Sequence, residues 1–327
     1  MSMSNNNLRV CFMGTPEFAV ATLDAIRQAG HNVVAVVTQP DKPAGRGQQM
    51  HSSDVKKYAL AQDLPVLQPE KMKDEAFLET LRSYQADVFV VVAFRMLPAC
   101  VYQMPRLGTF NVHASLLPQY RGAAPIQRAI MNGETKTGVT TFLLDEHTDT
   151  GEMLLQREVE ITHDDNAGTL HDKLMEAGAA VAVETLDLLA DGTATPMPQP
   201  AVEELKPAPK IFRDDMHINW DNDAEHIYNQ IRGLSPYPAA FAHIGFLNPK
   251  DANIRPCVLK IFEIEITDTP SKQKPGFIHG FSDKKMIIST KNFDISVKNL
   301  QIEGKKRMRI EEFLAGFHSE CYTNYLY

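Results

Sequence analysis

Five short apolar runs in the N-terminal part of the chain limit its possible folds more than any other feature. They lie at residues 8–13, 33–37, 87–93, 110–113 and 138–144. Helical patterns fall between them, at 17–29, 56–62, 74–84 and 123–131. The first helical pattern puts Phe18, Leu23 and Ile26 on one stripe and stops at Gly30, where a helix C-cap belongs. The runs V-V-A-V-V and D-V-F-V-V-V-A are too uniformly apolar for half-exposed strands, so they predict strands buried on both faces. Short strands alternating with helices specify βαβ units, an α/β class and a parallel sheet. Ligands bind at the carboxyl ends of such strands. The loops after Met13, Val37, Ala93, His113 and Leu144 are therefore where chemistry is expected.

The pattern changes near residue 191. Pro196, Pro198, Pro200, Pro207 and Pro209 fall in a stretch without apolar periodicity, which reads as a semi-rigid linker. Beyond it a helix is predicted at 224–232, then strands at 257–266, 276–281, 286–290 and 293–302, a count that suits a small β-barrel. The expected organisation is a domain at 1–190, a linker at 191–213 and a β-rich domain at 214–327.

Lys and Arg total 33 and Asp and Glu 41, a net charge of −8. Taken whole, that disfavours a nucleic-acid partner, but the charge is unevenly placed. Residues 1–200 hold 16 basic and 24 acidic side chains, and residues 201–327 hold 17 of each. The stretch 134–191 has 3 basic and 14 acidic residues, whereas 248–310 has 13 basic and 7 acidic, net +6. The four cysteines, Cys11, Cys100, Cys257 and Cys321, stand far apart without a C-x-x-C pair, which argues against zinc or redox chemistry. His147 and His163 are isolated from other ligand types, so no metal is expected. No apolar run reaches membrane-spanning length, and the start M-S-M-S-N-N-N has no signal-peptide pattern; a cytoplasmic protein is expected.

Asn111 and His113 are two residues apart in a predicted strand, so their side chains share one face at its carboxyl end. An Asn amide can donate to a carbonyl oxygen that becomes an oxyanion, and a His can pass a proton near neutral pH. The pair suits attack on a carbonyl. A carboxylate to support the His is available in L-D-E-H-T-D-T-G-E-M, where Asp145, Glu146, His147 and Asp149 all compete.

The chain resembles the methionyl-tRNA formyltransferase family over nearly its whole length. The resemblance rests on V-C-F-M-G-T-P-E-F-A (10–19), T-Q-P-D-K-P-A-G-R-G (38–47), N-V-H-A-S-L-L-P-Q-Y-R-G-A-A-P-I-Q-R-A-I (111–130) and D-T-G-E-M (149–153), with I-N-W and I-R-G-L-S-P-Y-P flanking the start of the second domain. It implies a Rossmann-like formyltransferase domain followed by an OB-like barrel. It also implies transfer of the formyl group of 10-formyltetrahydrofolate to the α-amino group of initiator methionyl-tRNA, by a monomer in the bacterial cytoplasm. The family's catalytic Asn, His and Asp match Asn111, His113 and Asp149.

Folate is expected against Ser115, Leu116, Leu117 and Pro118 and against Phe94 and Arg95. Here V-A-F-R-M-L-P (92–98) departs from the family by Arg95 in place of a Gly and by one missing residue; Arg95 becomes a candidate for the folate glutamate. Residues 39–53 read as a long structureless loop. By resemblance it reaches the acceptor end of tRNA through Lys42 and Arg46, although Gln48 and Gln49 stand where relatives often carry Lys. The cluster Lys305-Lys306-Arg307 is a second candidate for tRNA phosphates. The alternative readings are an N-formyltransferase acting on an amino-sugar nucleotide, which has no use for the Arg46 loop, and a hydrolase or folate-binding module.

Overall fold

In the computed structural model the described residues are 7–44, 49–247, 253–279, 285–315 and 322–327. They form two compact units. The first comprises Met1–Pro125, Lys136–Glu160 and His171–Ala208, and the second Ile126–Thr135, Ile161–Leu170 and Pro209–Tyr327. The elements up to the central long helix are β1 (Arg9–Gly14), α1 (Glu17–Gln28), β2 (Asn32–Val37), β3 (Lys42–Ala44), β4 (Gln49–His51), α2 (Asp54–Ala61), β5 (Val66–Leu67), α3 (Glu75–Ser83), β6 (Val88–Val92), α4 (Ala99–Tyr102), β7 (Thr109–His113), α5 (Pro125–Met131), β8 (Lys136–Leu143), β9 (Met153–Glu160) and α6 (Ala167–Ala190).

The sheet of the first unit has the order β5-β2-β1-β6-β7-β8-β9. Five of its seven strands (β1, β2, β6, β7 and β8) are the apolar runs seen in the sequence, whereas β5 and β9 fall in none of those runs. Phe12, Phe89, Phe110 and Phe142 are fully buried within the sheet. Cys11 is a core residue, as its apolar surroundings predict, and burial pushes its thiol well above the ordinary range. The pairs from β5 to β7 are parallel, but β7–β8 and β8–β9 are antiparallel. The expected parallel direction fails at β8. A strand buried on both faces carries no mark of its direction; direction depends on which end of the sheet the preceding connection delivers the chain to. Consequently Leu144 sits beside Thr109, donating its N–H to the Thr109 carbonyl (2.8 Å), and not at the end where His113 lies.

Two further stretches are more ordered than the sequence predicts. Residues 39–53 contain the antiparallel hairpin β3–β4, with Lys42 opposite His51 and Pro43 opposite Met50; residues 45–48, including Arg46, lie outside the described residues. Its root is anchored: Asp41 accepts from Lys56 Nζ (2.7 Å) and from Gln68 Nε2 (2.8 Å), and these bonds hold its carboxyl below the usual carboxylate range. The proline-containing stretch after α6 is hydrogen-bonded into the first unit. Met197 pairs with Met153 in both directions (2.8 and 2.9 Å), Tyr120 N–H donates to Lys206 O (2.7 Å), and Ala208 N–H donates to Arg121 O (2.8 Å). Proline blocks a strand's own ladder, but the residues between prolines keep both N–H and C=O groups: Met197 and Ala208 donate, and the Met197 and Lys206 carbonyls accept.

The second unit adds α7 (Arg213–Met216), α8 (Ala224–Leu234), β10 (Ala240–Leu247), β11 (Ile254–Pro270), β12 (Ile278–His279), β13 (Ile287–Ile288), β14 (Phe293–Ile302), β15 (Met308–Arg309), α9 (Ile310–Ala315) and β16 (Tyr322–Leu326). Its antiparallel order is β12-β13-β14-β11-β10-β16. The ends meet through a Phe277–Tyr325 bridge and Leu326 N–H donating to Gly276 O (2.9 Å), so the sheet closes into the expected barrel. Ala224, Ile227, Ile231 and Leu234 recur at helical spacing on α8 and enter the barrel core. Asp223 caps this helix, its carboxylate accepting from His226 N–H (2.7 Å). Asp223→Ala should cost about 1 kcal/mol and Asp223→Asn far less, measured by urea unfolding, because only the alanine removes the acceptor. No helix among the described residues is long and apolar enough to cross a membrane.

Candidate active site

β7 places Asn111 and His113 on one face of the sheet, as period-two geometry predicts. His113 is buried, its side chain 7% exposed, with its ring edge-on to Phe142. Its Nε2 lies 2.8 Å from the carbonyl oxygen of Tyr120. A carbonyl only accepts, so Nε2 carries the proton in the neutral ring, and Nδ1 keeps the lone pair. Nδ1 faces Asp149 Oδ2 at 3.9 Å. That separation exceeds a hydrogen bond. The Tyr120 carbonyl orients the imidazole, and Asp149 supplies a negative charge toward Nδ1. The Asn111 amide makes no hydrogen bond to another described residue, which leaves it open to an incoming oxygen.

The four candidates to support His113 separate cleanly. Asp145 is occupied in its own turn, accepting from His147 N–H (3.0 Å) and from Thr150 Oγ1 (2.8 and 2.9 Å). Glu146 and His147 are exposed. Asp149 alone among the four faces His113. It does so in a left-handed conformation (φ 56°), which an L-residue adopts at a cost. Its Oδ2 accepts the Gly122 N–H (2.9 Å). Gly122 is required at that point: its φ is 124°, and a Cβ there would lie 2.5 Å from the Ala208 carbonyl oxygen.

The segment between His113 and Tyr120 is a closed turn. Ser115 is buried and its Oγ donates to Gln119 O (2.7 Å). Leu117 and Pro118 are buried, and Leu116 is half-buried. Thr140, opposite His113, donates to Ser115 O (2.7 Å) and accepts from Leu117 N–H (3.1 Å) and Gln156 Nε2 (2.9 Å). At the end of β6, Phe94 is half-buried and the Arg95 guanidinium lies 5.6 Å from its ring centroid. Arg95 also donates to Glu70 O (3.1 Å) and to Pro69 O. Two of its nitrogens thus brace the shortened loop against residues 69–70. In the second unit Lys305, Lys306 and Arg307 are exposed in the turn after β14, with Arg307 stacked 4.3 Å over Phe262. Lys42 is exposed at the base of the β3–β4 hairpin.

Sequence reasoning passed over Tyr120, Gly122 and Gln199, all of which touch the His113–Asp149 pair or its loop. Gly122 after R, and a Gln flanked by two prolines at 198–200, were visible signals without an assigned partner.

Residues 8–186 match the family model for formyl transferase, and residues 210–318 the one for the formyl transferase C-terminal domain. The class is thereby an enzyme of the formyl transferase type with both of its domains. Methionyl-tRNA formyltransferase of Bacteroides fragilis is 47% identical over 319 residues, covering 97% of each chain, and that of Parabacteroides distasonis is 50% identical over 320 residues, covering 96% of this chain and 97% of its own. The chain belongs to the methionyl-tRNA formyltransferase family. Among solved structures, an N-formyltransferase from Helicobacter canadensis in complex with folinic acid and dTDP-3-aminofucose shares the fold at 21% identity, with a TM-score of 0.63, over 89% of this chain and 98% of its own. HypX from Aquifex aeolicus with tetrahydrofolic acid has a TM-score of 0.62 at 17% identity; this chain covers 47% of it.

Proposed function

We propose that this enzyme transfers the formyl group of 10-formyltetrahydrofolate to the α-amino group of methionine on initiator tRNA, in the cytoplasm of a bacterium. The observation that carries the chemistry is the placement of an open Asn111 amide and the His113 Nδ1 on one face, with Asp149 beyond Nδ1. The neutral amine attacks the formyl carbon. A C–N bond forms, and the tetrahedral intermediate holds negative charge on oxygen and positive charge on nitrogen. Asn111 donates to the oxyanion. His113 takes the proton from the attacking nitrogen at Nδ1 and returns it to the folate nitrogen as the old C–N bond breaks. Asp149 favours the transient imidazolium, because its charge attracts Nδ1–H only while the ring is protonated.

Folate lies against the 93–98 loop and the 115–118 turn, with Phe94 and the Leu116–Pro118 backbone as walls and Arg95 holding the loop in place. The tRNA meets Lys42 and Arg46 near the catalytic unit and Lys305, Lys306 and Arg307 on the barrel unit. The basic excess of residues 248–310 supports that division.

The test is a formyl-transfer assay offering methionyl-tRNA, uncharged tRNA and an amino-sugar nucleotide side by side. Product is expected on methionyl-tRNA alone; formylation of the sugar nucleotide alone would overturn the reading. The apparent tRNA affinity should fall by at least about tenfold between 50 and 200 mM salt, as contact with a few phosphates requires. A flat response would remove the phosphate contacts from the proposal.

A further inference from the structure

We propose that Gln199, held by Arg121, is a positioning residue that sets Asp149 against His113. The proposal rests on the reading of Asp149 and His113 as a catalytic pair. Gln199 Nε2 donates to the Asp149 carbonyl (2.9 Å) and to the Gly151 carbonyl (2.9 Å). Its Oε1 accepts from Arg121 Nε (3.1 Å) and Nη2 (2.6 Å). Both donors and the acceptor oxygen of the amide are therefore in use. The orientation is unambiguous, because a guanidinium only donates and a carbonyl only accepts.

These bonds close a ring. Arg121 is followed by Gly122, whose N–H holds the Asp149 carboxylate, and preceded by Tyr120, whose carbonyl holds His113. The three residues 120–122 thus grip both members of the pair, and Gln199 ties that grip to the backbone on either side of Thr150. The loop needs such a clamp, since Asp149 occupies a left-handed conformation that L-residues avoid. Attaching the proline-containing stretch to the unit does not need the Gln199 side chain: Met197, Lys206 and Ala208 already do so through backbone bonds.

The experiment uses the full chain with Gln199→Ala and Gln199→Glu, each also combined with Asp149→Ala. Gln199→Glu keeps the size and an acceptor for Arg121 but cannot donate to the two carbonyls. Each single variant should lower kcat by about 10- to 100-fold while KM for the formyl donor and for methionyl-tRNA stays within about twofold, as expected when a reacting group is misplaced. In the Asp149→Ala background, adding Gln199→Ala should change kcat by less than about twofold, because the residue it positions is already gone. A kcat within about twofold of native in both single variants overturns the proposal. So do effects that multiply in the double variant, which mark a role independent of Asp149. If Asp149→Ala alone retains native turnover, the catalytic reading itself falls, an outcome separable from the first two.

Discussion

His113→Ala should lower kcat by at least about 10²-fold, while binding of a folate analogue stays within about twofold of native. The loss is large because β7 sets the imidazole at its carboxyl end, on the face shared with Asn111, where it can carry the proton. Binding is spared because the ring makes its hydrogen bond to the protein, at the Tyr120 carbonyl, and Nδ1 faces Asp149. Asn111→Ala belongs to the same experiment and should cost about 10²–10³-fold in kcat, the effect of one oxyanion donor. Its stability should be unchanged, since the amide has no partner among the described residues whose bond would be lost. Single-turnover formyl transfer at saturating methionyl-tRNA, with the analogue's dissociation constant measured in parallel, checks both. Turnover within about twofold of native for either variant would remove that side chain from the chemistry.

Gly151→Ala should destabilise the first unit by about 3 kcal/mol, at the upper end of overpacking effects, and lower its unfolding temperature by about 6–12 °C. A Cβ on Gly151 would stand 1.7 Å from the Leu143 carbonyl oxygen and 2.9 Å from its carbon. Neither atom can retreat easily, because Leu143 is bound through its N–H to Glu152 O (2.9 Å) where β8 meets β9. The loop must move instead, and it carries Asp149 two residues earlier. Activity should therefore fall even at temperatures where the variant is folded. Thermal unfolding followed by circular dichroism, with kcat taken well below the transition, separates the two effects. A variant with native stability and native turnover would show that the 149–151 loop tolerates displacement.

Much of the fold was legible because hydrophobic periodicity is a local property. The runs at 33–37 and 87–93 supply strands buried on both faces, the second as Val88–Val92, and Asn111 and His113 share a face, since the period of a strand is two wherever it lies. The direction of β8 was not legible: V-T-T-F-L packs equally well either way up. Nor was the hairpin within 39–53, whose pairing depends on Asp41 reaching Lys56 and Gln68 across the loop. The prolines near residue 200 suggested a spacer, and the structure instead uses the residues among them as hydrogen-bonding partners for 120–124.

Residue types and spacing singled out Asn111 and His113 as candidates, and family resemblance gave them catalytic roles and chose Asp149 over Asp145, Glu146 and His147. Folding determined what each of these groups can do. The free nitrogen of His113 is Nδ1 because Tyr120, seven residues on, turns its carbonyl onto Nε2. Asp149 faces that nitrogen because Gly122 and Gln199, 27 and 50 residues away in sequence, hold it there. Hydrophobic patterns are written in neighbouring residues. A proton's position and a carboxylate's direction depend on hydrogen bonds whose partners meet only after the chain has closed on itself.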